Sequence, residues 1–210
     1  MICLILSLVK IQKLHRRFYI NSKNIFDELQ TSGMSISAIN QYIKCKEKGL
    51  VVSRDIEDIE LLRNFLSICK KHNFNFDYDQ QQIIYNGLSV GLSVEQVSKY
   101  ADPDYRPYTM RQLFAAFVKG VDISKWVPKV GTKFWMLEHL RILATKGFSD
   151  EKILLYINSF NTYSNENEFY EFRFCIECGM PDNEIKKMQG WNARKVRQAR
   201  LKYLKKQNQK

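Results

Sequence analysis

Apolar residues recur along most of this chain at the three-to-four-residue spacing of an amphipathic helix, which predicts helices from end to end. Ile56, Ile59, Leu62, Leu66 and Cys69 fall on one stripe, with Glu57, Asp58, Glu60 and Arg63 elsewhere on the same turns. Phe134, Leu137, Leu140, Ile142 and Leu143 do much the same. With only 4 Pro and 9 Gly there are few breakers, so the long segments between them have to be regular structure.

The glycines share a context. Eight of the nine are followed at once by an apolar residue, and seven have another six positions on: Gly33/Ile39, Gly91/Val97, Gly120/Trp126, Gly131/Leu137, Gly147/Ile153, Gly179/Ile185 and Gly190/Val196. At 45% apolar, chance gives about four in either test. A polar residue able to cap a new helix often stands two positions after the glycine, as in Gly33-Met34-Ser35, Gly91-Leu92-Ser93, Gly120-Val121-Asp122 and Gly147-Phe148-Ser149. The predicted unit is therefore helix, glycine C-cap, apolar corner residue, N-cap, second helix. Gly91, Gly120, Gly147 and Gly179 are spaced by 29, 27 and 32 residues. Repeats of that length mean stacked supersecondary units. The expected fold is all-α, either a degenerate array of αα-hairpins or a compact irregular helical bundle. The Asn-rich stretch 158–167 suggests a division into a helical-repeat body, 1–160, and a C-terminal helical unit, 161–210, with a basic last helix.

Within this pattern Gly91-Leu92-Ser93-Val94-Glu95-Gln96-Val97, Tyr100-Ala101-Asp102-Pro103, Met110-Arg111-Gln112-Leu113 and Gly120-Val121-Asp122-Ile123-Ser124 stand out. This stretch, about 76–128, resembles the short helical repeats of accessory proteins from conjugative elements of Gram-positive bacteria. The order Gln-Met of those repeats appears here as Met110 and Gln112. The resemblance implies a mobile-element setting and assigns no activity and no site residues.

Charge changes the picture at one end only. The net charge is +11, and eight cations lie from Trp191 onward with no Asp or Glu among them, leaving +3 for the first 190 residues. A cationic arm on a near-neutral body attracts polyanions. The apolar run Ile2–Val9 is far short of the ~20 residues that span a bilayer, and it reads as a buried first helix. Five scattered cysteines without an export signal suggest a reducing cytoplasm, and no membrane association is expected.

The segment 182–200 has the layout of a helix-turn-helix, with Gly190 at the turn, Trp191 as the corner plug, and Ile185, Val196 and Ala199 inward. In that docking the second helix offers Ala193, Arg194, Arg197 and Gln198 to a major groove, while Lys195, Arg200 and Lys202 neutralise phosphates. Lys205 and Lys206 extend the basic face. Tyr100, Tyr105, Tyr108 and Trp126, near Lys99, Arg106, Arg111 and Lys125, read as core packing before base stacking. Cys175-Ile176-Glu177-Cys178 has no second ligand pair, so it reads as packing and no metal is expected. His15, His72 and His139 are isolated, and no nucleophile elbow, phosphate-binding loop or dinucleotide fingerprint occurs. The expectation is a non-enzymatic protein without cofactors, whose basic helix contacts nucleic acid or a ribonucleoprotein. Its rivals are a protein–protein module, such as an anti-CRISPR-like inhibitor of a host defence complex, and a small helix-turn-helix regulator.

Overall fold

The computed structural model describes residues 27, 29–31, 35–50, 52, 58–131, 133–160 and 165–209. The apolar N-terminal run, Gly33 with Met34, and Asp55 to Glu57 lie outside them. The described residues are helical with no strand, as the periodicity predicts. They form two compact units that part between Val94 and Glu95. The first contains α1 (Ile36–Glu47), α2 (Ile59–Lys71) and α3 (Tyr78–Ser89), each packed on the next.

Eight further helices follow, all but Val94 of them in the second unit. They are α4 (Val94–Ser98), α5 (Pro107–Val118), a 3-10 turn (Ser124–Trp126) leading into α6 (Val127–Val130), α7 (Met136–Thr145), α8 (Asp150–Asn158), α9 (Glu166–Glu177), α10 (Asp182–Lys187) and α11 (Ala193–Gln207). The longer helices α5, α7, α9 and α11 pack in succession as one layer, with α8 against α7 and α9, and α10 against α9. Across the Asn-rich stretch, α9 packs on α7 and α8 within this second unit.

The corners explain the glycine pattern. The N–H groups of Leu50, Leu92, Val121, Phe148 and Met180 bond to carbonyls five residues back, at 2.9–3.2 Å. The preceding glycine N–H bonds three residues back, which completes the double bond of a Schellman cap. These glycines have φ between 69° and 87°, and a Cβ on any of them would meet nothing within 4 Å. Backbone conformation, not space, is what demands glycine there. Six residues after Gly91, Gly120, Gly147 and Gly179, the side chains of Val97, Trp126, Ile153 and Ile185 are at most 6% exposed, and Leu137 and Val196, six after the differently bonded Gly131 and Gly190, are buried too. Burying each such side chain contributes about 1.5–3 kcal/mol. Caps follow as expected at Ser35 and Ser149, whose hydroxyls accept from Ala38 N–H and Lys152 N–H.

One corner has no glycine. At the end of α2, Phe74 N–H bonds Cys69 O and Asn73 N–H bonds Lys70 O, with φ 53° at Asn73 and 59° at Phe74. Asparagine takes the left-handed position because its short polar side chain tolerates it. A search keyed on glycine passes over this corner.

Successive short segments are tied by ion pairs at about the repeat spacing: Lys99 to Asp122 at 2.7 Å, Lys125 to Asp150, and Lys152 to Asp182. These pairs are exposed and contribute little stability each, but they mark a common register. Among the long helices, Arg141 Nε donates to Gln112 Oε1 at 2.9 Å, and Lys146 pairs with Glu177 at 3.0 Å. The interior is aromatic: His139 stacks on Tyr156 and meets Phe169 and Tyr170, and Phe160 contacts Tyr156, Phe169 and Phe172. Tyr156 donates its hydroxyl to Phe169 O at 3.0 Å. No helix among the described residues is long and apolar enough to cross a membrane.

Two measurements check this account. Asn73→Gly should raise the denaturant midpoint by up to about 1 kcal/mol of stability, and Asn73→Val should lower it by about 1–2 kcal/mol, since only the backbone conformation is at stake. His139 is 1% exposed, and burial, aided by the Arg173 charge, holds its imidazole down to about 4. The unfolded chain takes up this proton near pH 6.5 while the folded one refuses it, so stability is full above that pH and falls toward pH 4. Urea titrations at pH 7 and pH 5 should differ by about 2 kcal/mol from this group, and His139→Phe should remove that part of the difference.

Candidate nucleic-acid interface

The predicted helix-turn-helix is α10, a turn, and α11. Pro181 opens α10, and Asp182 and Glu184 in its first turn sit at the positive end of the helix dipole. Ile185 and Met188 are buried. Gly190 has φ 75°, Trp191 N–H bonds Met188 O at 2.9 Å, and the Asn192 side chain caps α11 by accepting from Lys195 N–H at 3.0 Å. This turn differs from the Schellman corners above. Those join a long helix to the following segment, whereas Gly190 joins short α10 to long α11. The sequence alone made all these glycine turns look alike.

Trp191 is not a corner plug. It is 40% exposed, and buried Met180 and Met188 occupy the interior instead. Ile185 and Val196 point inward as expected, and Ala199 is half-buried.

α11 divides into two faces. Its inner face carries buried Val196 and half-buried Arg200, Tyr203 and Leu204. Arg200 donates from Nε and Nη2 to Glu171 Oε2 at 3.2 and 2.9 Å, and its guanidinium lies over Phe174 at 5.3 Å. The Tyr203 hydroxyl donates to Gly179 O at 3.0 Å. Arg200, expected to neutralise a phosphate, is thus engaged in holding α11 to α9. Local spacing carries no sign of this, because Glu171 is 29 residues away.

The outer face carries Arg194, Lys195, Arg197, Gln198, Lys202, Lys205 and Lys206, all exposed. None of these six cations makes an ion pair among the described residues. At 100° per residue, Arg194, Gln198, Leu201 and Lys205 lie along the outermost strip, with Lys195, Lys202 and Lys206 on one edge and Arg197 on the other. The first turn has no acidic residue, so Arg194 and Lys195 stand at the positive end of the helix dipole. Local helix physics disfavours cations there by about 0.3–1 kcal/mol each unless an anion joins them.

Beside that edge, α10 and α11 enclose a cleft of about 450 Å³. Met180 and Met188 form its apolar lining, Trp191 and Tyr203 add aromatic rings, and Lys202 and Lys206 stand at the α11 side. Glu184 also lines it, paired with Lys187 at 2.8 Å.

Other expected features resolve as packing. Tyr100 and Trp126 are buried, so they cannot stack bases. Tyr108 joins an aromatic group with Phe134 and Trp135, and Arg106 lies 4.6 Å from the Phe134 ring centroid. Cys175 is buried, its thiol pushed up to about 12 by desolvation, and Cys178 Sγ donates to Cys175 O at 3.3 Å. Arg173, also buried, approaches Glu177 at 3.4 Å and lies over the Tyr170 and Phe174 rings.

The two faces of α11 should separate in mutants. Arg200→Ala leaves Glu171 half-buried without its cation and should cost about 2–4 kcal/mol in a thermal or urea melt. Arg197→Gln and Lys205→Gln, which lose no described partner, should stay within about 0.5 kcal/mol of the parent. Comparison with protein families, curated proteins and solved structures returned no match to this chain.

Proposed function

We propose that this chain is a non-enzymatic helical-repeat protein that contacts nucleic acid, alone or within a ribonucleoprotein, through the outer face of α11. The observation that carries the reading is the set of exposed cations on that face, including two at the end of the helix where positive charge is least favoured. Packing accounts for Val196, Arg200 and Tyr203 and leaves Arg194, Lys195, Arg197, Lys202, Lys205 and Lys206 without a structural task. Phosphates supply the missing anions, and Arg197 and Gln198 are of the types that read guanine and adenine edges. The resemblance of the stretch about 76–128 to repeats of conjugative-element proteins supports a mobile-element setting. An acidic face on a host protein is the rival occupant, since it satisfies the same cations without bases.

Titration of the full chain with labelled duplex, single-stranded DNA and structured RNA at two salt concentrations tests this. Binding should fall steeply with salt, and each of Arg194→Gln, Arg197→Gln and Lys205→Gln should reduce the salt slope on duplex by about one. Absence of binding to all three near physiological salt rejects the reading and favours the protein partner.

A further inference from the structure

The α10–α11 cleft contains more than a phosphate-binding helix requires. A row of cations on α11 would suffice to follow a backbone, yet the cleft beside it has an apolar lining of Met180 and Met188 and an indole 40% exposed to solvent. The residue after the other glycine turns is buried at Leu50 and Met180, and half-buried at Leu92, Val121 and Phe148. Trp191 is the exception, and it is the largest of the set. Tyr203 faces the same space with its ring fixed by the hydroxyl bond to Gly179 O.

The charges of the cleft are also unbalanced. Lys187 compensates Glu184, which leaves Lys202 and Lys206 unpaired among the described residues. They stand one turn apart on the same edge, where two like charges disfavour the helix slightly. The volume falls in the ordinary range for small-ligand sites, about 300–1,000 Å³. The occupant that fits is therefore flat and partly apolar at one end and anionic at the other. A nucleotide has that form, and stacking of bases on aromatic side chains beside a cationic track is how single strands are held.

We infer that this cleft receives an unpaired base of a bound strand, stacked on Trp191, with the adjoining phosphates along Lys202 and Lys206. The inference rests on the reading of α11 as a nucleic-acid face and specifies the form of nucleic acid, a single strand or a duplex with an extruded base. An acidic peptide could satisfy the lysines, but it has no need of an exposed indole beside a fixed tyrosine ring.

The test uses the full chain, a labelled oligo-dT strand, and an abasic sugar-phosphate strand of the same length. The parent should bind the dT strand about tenfold more tightly than the abasic one, and Trp191→Ala should bring the two within about twofold. Trp191→Phe should keep most of the preference, and neither variant should change the salt slope. Circular dichroism confirms that both fold, as expected for an exposed side chain. Equal binding of the two strands by the parent, or a preference that survives Trp191→Ala, overturns the inference. The reading of α11 then still stands if Arg194→Gln and Arg197→Gln weaken both strands. Failure of every strand to bind removes both, and displacement of the dT strand by polyglutamate at equal concentration assigns the cleft to an acidic protein.

Discussion

The architecture depends on one backbone event repeated along the chain, a left-handed residue just past the end of a helix. It lets the following N–H reach back five residues and close the helix, as at Val121 to Ala116 and Phe148 to Leu143. The chain then leaves at an angle that returns the residue six positions later to the interior. Trp126, Ile153 and Ile185 are buried for that reason. Short-range geometry thus sets which residues meet the core, and the hydrophobic gain of those residues stabilises the geometry in turn. Glycine is the usual choice for the position, and Asn73 shows that the conformation, not the residue type, is the requirement.

Stacking then converts a local rule into a layer. Long helices α5, α7, α9 and α11 pack in order, and contacts between them recur at the repeat spacing, from Gln112 to Arg141 and from Glu171 to Arg200. Some buried polar groups are held by charge alone: Arg173 Nε and Glu177 Oε1 make no hydrogen bond among the described residues, yet they form an ion pair at 3.4 Å, with Lys146 also beside Glu177. His139 is the contrasting case: its Nδ1 has no hydrogen-bond partner among the described residues, and burial keeps the ring neutral, which makes the fold sensitive to acid.

The candidate interface is built from the same parts used differently. At Gly190 the turn connects α10 to α11 with a single bond back to Met188, and the residue after it stays at the surface. α11 spends one face on α9 and leaves the other cationic. Structure and charge are thus separated on one helix, which allows the outer face to serve a ligand without weakening the fold.

The sequence by itself determined the helical class, the glycine corners, the buried positions six residues on, and the concentration of charge after Trp191. Each of these follows from periodicity, from the preference of glycine for positive φ, or from counting. Tertiary structure decided what depends on distant partners. Arg200 looks like its basic neighbours until Glu171 is brought beside it. Trp191 looks like every other corner residue until Met180 and Met188 fill the interior and leave it on the rim of a cleft. The Asn-rich stretch looks like a divider until α9 beyond it packs on α7 and α8 before it. A side chain's type is written in the chain, but its availability depends on which groups, some 30 residues away, reach it first.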